Sequence, residues 1–360
     1  MNVRLTEAQE VRGMLVETAT RLFADHVDAK LLDAAKRDGW SPHLWRIAEE
    51  AQLPLISIAE AAGGAGGSLS DWAAVLRIAG RYSAPIPLAE TGIAGWLLAS
   101  GGLAIPAGPL AFGPVHAEAT TARKKGNEWS VSGILRRVPW ARVAQNLVVL
   151  AAGPDGSVVA CVDPAKCKIT HGENLAGEPR DDVALDNVVI AGDRVAPASG
   201  IDHAALRLRG ALARALLIAG ALESALELST RYATERVQFG RKIGQFQAIQ
   251  QELARFAGET AVAVAAALSA AGALERGENA LLAVASAKIR TALAAHDGAS
   301  IAHQVHGAIG VTDRYALHHA TLRLWAWREE FGNETTWAKE LGRAIAGSGA
   351  DQLWPVLSAN

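Results

Sequence analysis

The sequence predicts a mostly α-helical protein with a central β domain, and three observations carry that expectation. Apolar residues recur at helical spacing through roughly the first hundred positions. Short β-branched runs separated by turn residues follow. From about residue 201 the helical spacing returns and persists to the end. These changes of pattern place an N-terminal helical domain at 1–104, a middle β domain at 105–197 and a C-terminal helical bundle at 198–360. A chain of 360 residues, half of them hydrophobic and 20% charged, is large enough for two or three cores and has an ordinary globular composition. Its net charge of -2 gives no electrostatic case for a nucleic acid or an anionic membrane surface.

In the first region, Thr6 and Gln9 have the spacing of a capping box, and Val11, Leu15, Ala19, Leu22 and Phe23 then fall on one helical face. A second helix is expected over Pro42 to Ala51, with the proline in the first turn where its missing N–H costs nothing, and a third over Trp72 to Arg81. The cluster Gly63-Gly64-Ala65-Gly66-Gly67 lacks the Lys-Ser/Thr of a phosphate loop and follows no clear strand, so it reads as an interhelical turn. The uncharged run from Thr91 to Val115 holds six glycines and three prolines. That breaker density argues against a membrane span and for a buried or linker segment. Met1 to Gln9 has no apolar signal core. The two cysteines, Cys161 and Cys167, form neither a CxxC pattern nor a zinc spacing, which favours a reducing cytoplasm and no metal.

In the middle region, Trp129-Ser-Val131 alternates. The runs Leu147 to Leu150 and Val158 to Val162, joined through Pro154-Asp155-Gly156, make a hairpin signal, and Val183 to Ile190 supplies a further strand or pair. Beyond Pro197, Leu212, Leu216, Ala219, Leu222, Leu226 and Ser229 keep helical spacing up to Gln238. Phe246 to Leu274 and Ala280 to Val305 are long alanine-rich helices, and Trp325 to Phe331 and Trp337 to Ile345 are shorter ones. Apolar faces wider than one neighbour can cover point to a bundle that also makes a subunit interface.

The residues with chemical character concentrate in this last region. Glu235-Arg236-Val-Gln-Phe239-Gly240-Arg-Lys-Ile243-Gly-Gln-Phe246-Gln247-Ala-Ile249-Gln250 sets an arginine, a Phe-Gly stop and an amide between two long helices. A permanently charged, bidentate guanidinium at a helix end can hold a diphosphate, or it can simply neutralise the helix terminus. His303-Gln304-Val-His306-Gly307-Ala308-Ile-Gly310 follows further on. The i, i+3 histidines have no carboxylate beside them at matching spacing, so satisfied histidines explain them better than a metal does.

Both stretches resemble the signatures of the acyl-CoA dehydrogenase family, and the order of helices, small β domain and four-helix bundle is that family's architecture. The resemblance implies FAD as cofactor, an acyl-CoA thioester as substrate and electron-transfer flavoprotein as electron acceptor. It also implies a homo- or hetero-oligomer, a dimer or tetramer. It puts Arg236, Phe239, Gln247, Gln304, Gly307 and Ala308 at the cofactor, partly that of a neighbouring subunit. Ala308 stands where the family's Gln-x-x-Gly-Gly-x-Gly motif has its middle glycine, and its methyl narrows the backbone's approach.

The reaction that the resemblance implies introduces an α,β double bond and needs a carboxylate base. The family's usual seat falls on Phe331, or on Gly332 by a different anchor, and the minority seat falls on Gly210. None can take a proton. Glu330, beside the first seat, is the candidate base, weighed against a solvated glutamate next to Arg328. The family's Thr-Glu-Pro-x-x-Gly-Ser-Asp loop corresponds to Ala107 to Pro114, without its acid, serine or threonine. Arg137-Val138-Pro139 replaces a Trp-Ile-Thr triplet, and Trp140 is left either to stack on a ring or to pack in the core. Two readings stand together: a flavin-dependent acyl-CoA dehydrogenase with Glu330 as base, and a non-catalytic subunit of a heteromeric enzyme that completes a partner's FAD site. A flavin oxidase or hydroxylase on the same fold ranks below both.

Overall fold

The computed structural model describes residues 2–116, 119–198, 200–313, 315–352 and 354–355, with side chains from residue 9 onward. The helices are α1 (Asn2–His26), α2 (Ala29–Asp38), α3 (Pro42–Glu50), α4 (Leu69–Arg81), α5 (Leu88–Ser100), α6 (His203–Glu235), α7 (Gln247–Glu275), α8 (Ala280–His306), α9 (Leu317–Glu329) and α10 (Glu334–Ser348). The strands are β1 (Leu110–Gly113), β2 (Thr120–Lys125), β3 (Glu128–Pro139), β4 (Asn146–Gly153), β5 (Gly156–Val162), β6 (Lys168–Thr170), β7 (Arg180–Ala191), β8 (Val195–Pro197), β9 (Val237–Gln238) and β10 (Arg241–Lys242). The result is a mostly helical fold with a central β-sheet domain. Two compact units interleave along the chain: Met1–Phe23, Ala73–Ala84 and Ala211–Asn360 form one, and Ala24–Trp72 and Pro85–Gly210 the other. The pattern changes near 104 and 197 therefore mark changes of secondary structure, while compactness groups the segments differently.

The second of these units carries the sheet, in the order β6-β7-β3-β2-β4-β5-β8, with β1 pairing in parallel with β4. The expected hairpin is β4–β5, whose residues pair from Leu147↔Val162 to Gly153↔Gly156 around Pro154-Asp155. Each strand of that pair buries a continuous apolar run, which is the mark of a strand covered on both faces. The uncharged Thr91–Val115 run resolves into the end of α5, a turn and β1. α5 is buried from Leu88 to Gly95 and again at Leu97 and Leu98, so it shows no polar face for a periodicity argument to find. The glycine cluster is a turn. The N–H groups of Gly64, Gly66 and Gly67 donate to the carbonyls of Ala59, Ile58 and Ile56, and a Cβ on Gly64 would lie 2.2 Å from the Ile58 carbonyl oxygen.

The helical unit packs α7 along α8, and α8 against α9 and α10. The Arg290–Glu259 pair at 2.7 Å ties α8 to α7. By length and composition α7 could cross a membrane, and it is the one helix among the described residues that could. Within the unit, α4 lies close on α6. A Cβ on Gly220 would fall 1.8 Å from the Arg77 carbonyl oxygen, so only glycine allows that approach. The Arg77–Glu223 pair at 2.6 Å and the Arg81–Glu227 pair at 2.8 Å flank the contact. One N-terminal expectation is corrected. α1 begins at Asn2, so Thr6 and Gln9 lie within the helix instead of capping it; the Thr6 side chain lies outside the described residues.

Candidate functional site

α6 ends at Glu235, and the chain turns back through a two-stranded hairpin, β9 and β10. The two residues at its tip, Phe239 and Gly240, have φ of 52° and 78°, the backbone of a tight type I′ turn. Glycine takes that conformation freely and phenylalanine does not, so the turn holds an aromatic residue in a costly geometry. It also holds it in water: Phe239 is 93% exposed, touching only the edge of the Phe246 ring at 6.2 Å among the aromatic contacts. Arg236 is exposed, and among the described residues no carboxylate pairs with it. Its backbone N–H donates to the Tyr232 carbonyl and its carbonyl accepts from the Ile243 N–H, which fixes the hairpin to the helix end. Gln247 is the first residue of α7 and is exposed. No side chain caps that helix start.

Gln304, Gly307 and Ala308 are exposed at the other end of this surface, where α8 gives way to a short 3-10 turn over Gly307–Val311. Gly307 has φ of 63°, and a Cβ there would meet nothing within 4 Å. The ends of α6 and α8 are brought together by aromatic stacking. His306 lies 4.6 Å from Tyr232, one turn before Arg236, and 4.8 Å from Tyr315. The His306 Nδ1 pairs with the Ala302 carbonyl at 2.7 Å. His303 stacks on Trp325 at 5.5 Å and its Nε2 bonds the Thr321 hydroxyl. Burial pulls both imidazoles below their ordinary range, which keeps them neutral at pH 7.

This surface carries groups of a kind that can hold a dinucleotide. It offers an unpaired guanidinium, an uncapped helix start, a bare glycine turn and an exposed aromatic plane, which are donors for a diphosphate and a face for a purine. Arg236 would hold the paired phosphates, Gln247 and Gln304 would supply amide groups, and Phe239 would supply the plane.

Glu330 has a different environment. It is the C-cap of α9, and its side chain, 12% exposed, accepts from the Arg214 Nε at 2.6 Å, with Arg214 itself 2% exposed. It is neither the solvated glutamate of one reading nor a free carboxylate: a buried guanidinium occupies it in a charge-assisted hydrogen bond. Arg214 also lies 5.4 Å from the Phe331 ring. Phe331 is 3% exposed with φ of 56°, so of the two positions that the resemblance gives for the base, Phe331 and Gly332, the first holds a buried ring. Lys288, fully buried on α8, donates to the carbonyls of Arg328 at 2.6 Å and Trp327 at 3.3 Å and thereby caps α9. Burial pushes its ammonium down to about 7, against the opposing charge of Glu330. Arg328 pairs with Glu334, and the Trp337 Nε1 donates to the Phe331 carbonyl at 3.0 Å. The loop is thus held at every turn. Sequence reasoning missed Arg214 and Lys288. For Arg214 the available signal was a lone charge inside the otherwise apolar stretch Leu212 to Leu217; Lys288, with Ser286 before it and Arg290 after it, carried no such signal.

In the sheet-bearing unit, the Ala107–Pro114 stretch runs into β1. The Gly108 N–H donates to Glu49 at 2.7 Å, and the Leu110 N–H donates to the Thr91 hydroxyl at 3.0 Å. Trp140 is 3% exposed with Arg180 6.0 Å from its ring, as a core residue would be.

Comparison with known proteins gives consistent results. Residues 9–104 match the acyl-CoA dehydrogenase N-terminal domain, and residues 203–344 match the C-terminal domain. The chain is 30% identical to the acyl-CoA dehydrogenase IpdE2 of Mycobacterium tuberculosis over 86% of its own length and 89% of that protein's. A steroid ACAD structure of the Tcur3481–Tcur3483 pair superposes with a TM-score of 0.84 at 28% identity, covering 95% of this chain and 99% of that one. The ChsE4–ChsE5 complex of M. tuberculosis superposes with a TM-score of 0.83 at 22% identity, covering 94% and 97% respectively, and shows the fold.

Proposed function

Because this chain belongs to the acyl-CoA dehydrogenase family of oxidoreductases, we propose that it works as one half of a heteromeric flavin-dependent acyl-CoA dehydrogenase. It lends its diphosphate-binding edge to an FAD site whose carboxylate base comes from an unlike partner chain. The observation that carries this reading is the state of the base loop: Phe331 fills the seat and Glu330 is bound to buried Arg214. A carboxylate in that position cannot serve as a base without breaking a desolvated ion pair, at a cost of several kcal/mol. The exposed set of Arg236, Phe239, Gln247, Gln304, Gly307 and Ala308 supports the other half of the reading. An aromatic side chain 93% exposed on a positive-φ turn is in an arrangement that makes sense when another chain covers it.

FAD, when bound, supplies the hydride acceptor. The residues of this chain bind and orient: Arg236 neutralises the phosphates, Gln247 and Gln304 fix the nucleotide's position, and the turn at Gly307 gives backbone access limited by the Ala308 methyl. Lys288 and Arg214 hold the Phe331 loop rigid, so that a buried ring closes this side of the chain to water. Proton abstraction belongs to the partner. The substrate class is an acyl-CoA thioester, and electrons leave to electron-transfer flavoprotein. Two relatives have names that fit a heteromeric assembly, the Tcur3481–Tcur3483 pair and the ChsE4–ChsE5 complex.

The second reading, a dehydrogenase active by itself with Glu330 as base, is separated by one set of measurements. The chain expressed alone is expected to be colourless. Mixed with its partner it takes up FAD, and Arg236→Gln weakens that uptake by roughly 10- to 100-fold, the worth of one charge-assisted contact. Yellow protein from the lone chain, with acyl-CoA-dependent dye reduction that Glu330→Gln abolishes, overturns the heteromeric reading.

A further inference from the structure

Arg209 is a half-buried cation for which the described residues provide no anion. It sits early in α6, and its guanidinium carbon lies 4.0 Å from the centre of the Trp96 ring on α5. At that distance the indole covers one flat face of the guanidinium, leaving the in-plane N–H edge to make polar contacts. Among the described residues, no carboxylate, carbonyl or hydroxyl accepts a hydrogen bond from that edge, and no acid forms an ion pair with it. The other enclosed arginines contrast with it. Arg214 holds Glu330, Arg180 holds Glu178 at 3.0 Å and Arg142 holds Asp181 at 2.7 Å. Burial alone pulls the Arg209 guanidinium down to about 10, with no acid to restore it. A cation that loses hydration without gaining a partner is destabilising, and such groups are normally paired.

We infer that Arg209, clamped against Trp96, is a recognition subsite for a carboxylate carried by the acyl group of the thioester. This inference rests on the acyl-thioester reading above. A single guanidinium with one face covered presents two parallel N–H donors in one plane, which match the two oxygens of a carboxylate. Phosphate is the other anion that an acyl-CoA brings, and it is bound best by several cations together. Arg209 stands alone as the unpartnered one in this pair of helices, and that favours the carboxylate. The ligand class is therefore a monothioester of a dicarboxylic acid, with the stacked Trp96 fixing the plane in which the distal carboxylate must lie.

The test uses the full chain with FAD and its partner, and it compares binding of adipoyl-CoA with hexanoyl-CoA by titration calorimetry. The flanking series from succinyl-CoA to suberyl-CoA is measured against the matching monoacids. The expected result is a preference of roughly 10- to 100-fold for one dicarboxylic thioester over its monoacid counterpart. Arg209→Met should bring that ratio close to one, and Arg209→Lys should keep part of it. Equal affinities in the parent protein across the series overturn the inference and leave the acyl-thioester reading standing, with no variant needed. Equal weakening of both thioesters by Arg209→Met overturns it too, because the guanidinium would then be holding the phosphates of CoA. If no thioester of either kind binds, the acyl-thioester reading falls and takes this inference with it.

Discussion

Replacing Arg214 with methionine isolates the interaction that ties down the Phe331 loop. The pair with Glu330 spans 2.6 Å, with 2% of the arginine side chain and 12% of the glutamate exposed. Removing one member of so enclosed a pair leaves the other as an uncompensated charge, at a cost of about 3–5 kcal/mol. Loss of the cation beside the Phe331 ring, at 5.4 Å, adds about 0.5–1 kcal/mol. A domain of this size shifts by about 2–4 °C per kcal/mol, so a total loss of about 3.5–6 kcal/mol lowers the melting temperature by roughly 7–24 °C. The double variant Arg214→Met, Glu330→Met removes both charges and should recover most of that loss, because an apolar pair of similar volume replaces a desolvated ionic one. Glu330→Met alone should be at least as damaging as Arg214→Met, since Lys288 also loses its opposing charge. Scanning calorimetry of the four proteins closes the cycle. A single Arg214→Met variant that melts within a degree or two of the parent, or a double variant no more stable than either single, would show that the pair does not lock the loop.

Three further outcomes follow from particular residues. Phe239→Ser should leave the chain's own stability within about 0.5 kcal/mol, because the ring is 93% exposed, while weakening association with the partner chain in sedimentation velocity. Unchanged association would separate the turn from the interface. Gly220→Val should cost more than about 4 kcal/mol, since the added carbon falls 1.8 Å from the Arg77 carbonyl oxygen, and urea denaturation reads the loss directly. Burial depresses the protonation of His303 and His306, so the unfolded chain binds those protons more tightly than the folded one. Their contribution is therefore complete above about pH 6.5 and is lost as the pH falls below it; melting temperatures should drop between pH 7 and 5.5, and His306→Phe should flatten that slope.

The sequence by itself determined most of the order of elements and singled out the residues proposed above to face a nucleotide. Helical spacing after residue 201 gave the long helices, and β-branched runs around Pro154-Asp155-Gly156 gave the β4–β5 hairpin, because periodicity and turn chemistry are local properties. It also marked Phe331, Gly332 and Gly210 as positions without a carboxylate, which is a matter of residue identity alone. It did not reveal α5, whose faces are nearly all apolar, nor α2, nor the true start of α1. What Glu330 does was decided only by the tertiary structure. Arg214 is separated from it by 116 positions and Lys288 by far more than one helical turn, so no pattern in the string pairs them. The same holds for Arg209, which has no anion among the described residues, a matter of what surrounds it in space. Charge compensation is set by distance in space, and a sequence records only distance along the chain.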